Sequence, residues 1–213
     1  MFCYCSYLPC QNPPPMSAPL PASLPFPLLA GRVHEASGPG AASFAILACA
    51  QVPGPLLWIS EDWQTARLDP AGLASFTDPG RLLLADTANQ TDTLAIAEEA
   101  LKDGSVALVV AEMTRPLNLR EGRRLQLAAK TGGATGLCLI PEGMGSNAAE
   151  TRWQCSPVFD PGRSADSTLM QWEIIKNKKG TLGAWHVRWD ATAHRLDVVS
   201  PVGLRPGAAA LRG

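Results

Sequence analysis

An α/β protein is what this sequence predicts: a mostly parallel, twisted sheet flanked by helices, with an antiparallel β extension in the C-terminal part. Three observations carry that expectation. Between Gly31 and Ile140 short apolar strands alternate with helical periods, the pattern of right-handed βαβ crossovers. Two of those strands, Leu56–Ser60 and Val106–Val110, are near-continuous apolar runs, as in strands buried on both faces. After Pro141 the pattern changes, and four β-rich stretches follow with turns between them and no helix.

The elements follow in chain order. Met1–Ala30 has no Lys or Arg and many prolines, among them Pro13-Pro14-Pro15, so an extended, disordered leader is expected. Both Met1 and Met16 are candidate starts. Gly31–Ser37 is the first strand, and Ala41–Gln51 the helix behind a Gly-Pro-Gly turn, ended by Val52-Pro-Gly-Pro55. Leu56–Ser60 is the next strand. Pro70–Phe76 is a short helix with Asp69 as N-cap and proline at its first position. Asp78-Pro-Gly80 turns into the strand Arg81–Ala85. Gln90–Asp103 sets Leu94, Ile96, Ala97, Ala100 and Leu101 on one helical face, and Gly104 ends it. Val106–Val110 is followed by a helix over Leu119–Thr131, capped by Asn118, with Leu125, Leu127 and Ala128 inward and Arg120, Arg123 and Arg124 in water. Gly136–Ile140 is a further strand. Thr151–Cys155, Leu169–Lys176, Trp185–Asp190 and Arg195–Ser200 form the antiparallel extension, and residues 201–213 a flexible tail.

Chemistry concentrates in Gly31–Leu47. A strand, a glycine turn and an apolar helix are the frame of a phosphate-binding loop, where N–H groups at a helix start cradle an anion. The chemistry of that loop needs G-x-x-x-x-G-K-[ST]. Counting from Gly38, with Gly40 inside the turn, the second glycine position holds Ser43, the lysine position Phe44 and the hydroxyl position Ala45. Neither the ammonium for terminal phosphates nor the hydroxyl for Mg²⁺ is present.

Several stretches, in this order, resemble the bacterial RecA recombinase core. "GRVHEASGP" is similar to its first strand and loop entry, and Leu56–Asp62 followed by Leu68-Asp69-Pro70 to its next strand and catalytic-carboxylate turn. Ser105–Glu112 sits where the Walker B strand belongs, and Ile174-Ile175-Lys176-Asn177-Lys178 resembles the late strand with a Lys-Asn-Lys motif at the subunit interface. RecA relatives of this size that have lost the loop lysine point to the ImuA family, accessory proteins of bacterial SOS mutagenesis. The resemblance implies a RecA-like domain over residues 31–200 with degenerate Walker motifs, no ATPase activity and no cofactor. Asp62 and Glu112 become relic carboxylates, with Ala111 where the Walker B aspartate belongs. It also implies partners: an ImuB-like relative of Y-family polymerases, RecA itself through the old protomer interface, and indirectly an error-prone replicative-type polymerase. A SulA-like inhibitor of cell division and a nucleotide-binding regulator are the alternatives.

Composition agrees with a globular domain and excludes other classes. The chain has 213 residues, 46% hydrophobic and 17% charged, with a net charge of −1, so no global field recruits nucleic acid. Residues 31–149 carry 9 basic and 13 acidic residues, and residues 150–213 carry 9 and 6. No apolar run reaches the ~20 residues that span a bilayer, and the leader lacks the basic start of a secretory signal. Six cysteines form no C-x-x-C pair and His34, His186 and His194 have no ligand spacing, so buried reduced thiols in a cytoplasmic protein are expected, without a metal. The recombinase's DNA-binding loops would follow Glu112 and Ile140. Here those segments are short, and Pro141–Glu150 has no Lys or Arg to displace counterions. Two readings of Lys176, Asn177 and Lys178 stand together, a subunit interface and a solvated hairpin. Of six tryptophans, Trp58 belongs to a core strand, while Trp63, Trp153, Trp172, Trp185 and Trp189 are candidates for a partner surface or for packing of the extension.

Overall fold

The computed structural model describes residues 24–160 and 168–205. Cys3, Cys5, Cys10, most of the proline-rich leader and the tail beyond Arg205 lie outside the described residues. The element order is β1 (Val33–Ser37), α1 (Ala41–Gln51), β2 (Leu56–Glu61), α2 (Pro70–Leu73), β3 (Leu82–Thr87), α3 (Gln90–Asp103), β4 (Leu108–Glu112), α4 (Leu119–Gly132), β5 (Thr135–Leu139), β6 (Thr151–Pro157), β7 (Met170–Asn177), β8 (Leu182–Asp190) and β9 (Arg195–Arg205). One nine-stranded sheet holds them in the order β3-β2-β4-β5-β1-β6-β7-β8-β9. Every pairing from β3 to β6 is parallel, and β6 to β9 pair antiparallel. The sheet is therefore the predicted one.

Alternate residues of the central strands enter two different cores. Leu56 and Trp58 join Leu108, Val110 and α1, whereas Leu57 and Ile59 join Val109, Ala111, α3 and α4. Both faces of the parallel half are thus covered, as the unbroken apolar runs require. Helix ends are set locally. Asn89 accepts from the N–H groups of Thr91 and Asp92, and Asn118 makes a capping box with Glu121. Asp69 caps α2 as expected, although that helix stops at Leu73.

Four expectations are corrected by packing. The leader's last residues are part of the core: Phe26 lies 5.0 Å from Trp172 and 5.6 Å from Phe44 between ring centroids, and Leu28 is buried. The Nε2–H of the buried His34 donates to the Leu29 carbonyl, which ties this segment to β1. The strand expected to end at Ser200 continues to Arg205, which pairs with Leu182. Ile96 and Leu127 face solvent, because the inward stripes are Gln90, Thr93, Ala97 and Leu101 on α3 and Gly122, Leu125, Ala128 and Ala129 on α4. Finally, Trp185 and Trp189 do share a face of β8 with Val187, but all three are buried. Trp185 packs on Trp153 and Trp189 on Phe76, so neither is a free interface residue.

Candidate functional site: a remodelled phosphate loop and its neighbouring cleft

The glycine loop between β1 and α1 is built around β6. A Cβ on Gly38, whose φ is +90°, would lie 2.4 Å from the Cys155 carbonyl oxygen, and one on Gly40 3.0 Å from that carbonyl's carbon. The Gly40 N–H donates to the same oxygen at 2.9 Å, and the Ala41 N–H to Gly38 at 3.0 Å. Two amides of the turn are thereby spent within the chain, and both glycines have a reason in the close approach of a strand. Ser43 is exposed on α1, while Ala45 and Phe44 are fully buried. Phe44 points into an aromatic cluster, 4.7 Å from Trp172 and 5.1 Å from Trp153 between centroids.

Beside α1, at the C-terminal ends of β2, β4 and β5, lies a cleft of about 530 Å³. Such crevices at strand ends are where open α/β sheets bind ligands. The carboxylates that line it, Glu112 and Asp86, and the neighbouring Glu61 are already engaged. The Trp58 indole N–H donates to Glu112 at 2.6 Å. Buried Glu61 accepts from the Trp63 indole and the Thr114 hydroxyl, each at 2.6 Å. Arg67 pairs with Asp86 at 2.5 Å and also donates to Ser60 and to the Asp62 carbonyl. Asp62 itself is exposed, its N–H bound to the Thr87 carbonyl. The structure thus brings Glu112 to the cleft, leaves Asp62 out of its lining, and adds Trp63 and Arg67. Arg67 was not legible as a site residue, because it lies in the loop after β2 and its partner Asp86 is 19 residues away on β3. Trp63, 62% exposed, is the one partner-surface candidate among the six tryptophans that stays open to solvent.

Within the chain, the Lys-Asn-Lys motif holds a turn in place. The Lys176 ammonium donates to the carbonyls of Ser146, Asn147 and Ala149, each at 2.9 Å, and that of Lys178 to Ala148. Asn177 accepts from the N–H groups of Lys179 and Gly180 and shapes the turn after β7. Burial, with Arg152 nearby, lowers the Lys176 pKa. The same turn is gripped from below: Glu35, buried, accepts from the Ser146 N–H and the Arg152 guanidinium, both at 2.8 Å. Arg152 also donates to the Ser146 carbonyl. The segment that would be the recombinase's second mobile loop is pinned to the sheet by three cations and a carboxylate.

Among the described residues no cluster of three or more His, Cys, Asp or Glu could hold a metal ion. Cys49, Cys138 and Cys155 are buried thiols, and burial pushes the Cys49 pKa up to about 12. No helix among them is long and apolar enough to cross a membrane.

No family model matches the chain. Two curated relatives do, the ImuA proteins of two strains of Caulobacter vibrioides, each 28% identical over 157 residues that make up 66% of this chain. The chain is ImuA-like. The match covers 63% of the length of those relatives. Among solved structures the RadB recombinase superposes with a TM-score of 0.61, over 81% of this chain and 92% of that one, at 13% identity. The fold of the ImuA-like chain is accordingly RecA-like, as the order of its motifs implies.

Proposed function

We propose that this ImuA-like chain is a non-catalytic adaptor in SOS-induced translesion synthesis. In that role it binds an ImuB-like relative of Y-family polymerases, with RecA as a second partner and an error-prone replicative-type polymerase reached indirectly, in the cytoplasm. The observation that carries the reading is Phe44. Phosphoryl transfer rests on electrostatic stabilisation by a loop lysine and a metal-bound hydroxyl. Here the aligned positions hold a core phenylalanine and a buried alanine, and the Gly40 amide is bonded to β6. Glu112, which would stand beside a metal, instead receives an indole N–H.

Two measurements test this. Equilibrium dialysis with labelled ATP and Mg²⁺ is expected to show no low-micromolar binding. Co-purification with an ImuB-like subunit encoded in the same genome is expected to yield a stable complex without nucleotide. ATP binding in the first assay, or a complex that forms only with nucleotide, sinks the adaptor reading.

A further inference from the structure

On the face of the sheet opposite α1, the outer surface of α4 and the Ser146–Ala148 turn enclose a groove of about 550 Å³. Its floor is a helical row, Leu119, Arg123 and Leu127, at spacings of four residues and therefore on one side of α4. Leu119 is 47% exposed and Leu127 65%. Asn147, Ala148 and Lys178 form the opposite wall. Two cations line the groove and no carboxylate does. Arg120 and Lys130 add charge along the same exposed helix surface, whereas Arg124 is committed to Glu98 at 2.6 Å. Neither Arg120 nor Arg123 has an ion-pair partner among the described residues.

We infer that this groove docks an acidic, leucine-bearing helical segment of a partner protein. Paired aliphatic anchors two turns apart, with cations between and around them, are complementary to an amphipathic helix whose apolar stripe is flanked by Glu or Asp. The leucines decide against a plain phosphate surface: nucleic-acid backbones are held by cations, and two exposed leucines flanking Arg123 gain only when apolar atoms cover them. Charge complementarity then sets register and association rate, and the leucines supply the buried anchors.

The groove is also rigid before anything binds. Lys176 holds three carbonyls of the turn and Lys178 a fourth. Gly122 lets the turn sit on the helix, since a Cβ there would meet Ser146 Oγ at 2.4 Å. Gln126 bonds both main-chain groups of Val33 and locks α4 over β1. A partner segment therefore meets a preformed wall and floor, which removes an ordering cost from association. Lys176 supports this surface from behind, and Lys178 is part of its wall.

The test uses the full chain and a fluorescein-labelled synthetic helix of about 18 residues, five turns, with Leu at helical spacing and Glu between. Controls are the same peptide with Lys for Glu, a single-stranded oligonucleotide, and vesicles rich in anionic lipid. The Glu peptide is expected to bind at least tenfold more tightly than the Lys peptide by anisotropy, and less tightly as salt rises. Leu127→Ser and Arg123→Glu should each weaken it at least tenfold at an unchanged melting temperature, and Arg123→Glu should improve binding of the Lys peptide. Equal binding of the two peptides, or indifference to both variants, overturns the inference. So does tighter binding of DNA or vesicles that depends on Arg123 but not on Leu127.

Discussion

Phe44 and Trp172 meet edge to face with ring centroids 4.7 Å apart, which places the residue aligned with the loop lysine at the centre of the larger core. Phe44→Ala should cost about 3–5 kcal/mol, the usual range for deleting a buried phenylalanine. Phe44→Lys, which restores the motif on paper, should cost at least as much because an ammonium would be buried among Phe26, Trp153 and Trp172. Urea unfolding of both variants checks this, and a Phe44→Lys chain as stable as the parent would show that the side chain can swing out to the loop.

Gly122 offers a case in which two effects oppose each other. In an exposed helix, Gly→Ala stabilises by up to about 1 kcal/mol. Here the new methyl would lie 2.4 Å from Ser146 Oγ and 2.9 Å from the Ala148 Cβ, and the turn is tied down on its other side. The overpacking term, about 1–3 kcal/mol, should win. A lower melting temperature for Gly122→Ala is expected, and a higher one would mean the turn gives way freely.

The Glu35–Arg152 pair joins a carboxylate with 1% side-chain exposure to a guanidinium with 19%. Glu35→Gln should destabilise by about 3 kcal/mol, because it leaves a largely buried cation without its counter-charge and weakens the grip on Ser146. Adding Arg152→Met should cost less than the sum of the two single changes, since neither partner is then left charged alone. Strict additivity in a double-mutant cycle would show that the two side chains act independently.

His34 gives a pH dependence of defined sign. Burial lowers its pKa from 6.5, opposed by its bond to Leu29 and by Glu150. Its ring joins a directed chain: Trp153 donates to the Thr151 hydroxyl at 2.8 Å, Thr151 to His34 Nδ1 at 2.7 Å, and His34 Nε2 to Leu29 at 3.1 Å. That order needs the neutral imidazole. The unfolded chain binds the proton more readily, so the contribution is complete above pH 6.5 and is lost as pH falls below it towards the folded value. Between pH 7.5 and 5.5 the stability of the parent relative to His34→Gln should fall, with a slope no steeper than about 1.4 kcal/mol per pH unit. A constant difference would mean that His34 protonates equally easily in both states.

Strand and helix alternation was legible because each element's period is local, and α1 and α3 begin and end where their turn residues said. The aromatic stripe of Trp185 and Trp189 was legible too, but not what covers it. Trp185 is buried against Trp153 of β6, and Trp189 against Phe76 beyond α2, long-range contacts that no periodicity encodes. The intrachain partners of Lys176 and Lys178 were hidden for a related reason. A lysine near a hairpin reads as solvated until a distant turn presents its carbonyls, here from residues 146–149. The glycines of the loop were correctly singled out, yet their cause is the approach of Cys155 as much as any anion.

The place of β1 between β5 and β6 has a consequence for synthesis on the ribosome. Glu35 must find Arg152, which is 117 residues further along the chain. At roughly 5–20 residues per second, translation takes about 6–23 s to deliver that partner. Until β5 emerges the most central strand of the sheet has no hydrogen-bonded neighbour, and until β6 emerges it has only one, while β2 and β3, adjacent in sequence, pair early. Closure of β1 is therefore a late, non-local event of the kind that slows folding and exposes apolar edges meanwhile. A nascent chain of this design has reason to engage a chaperone until Thr151 emerges.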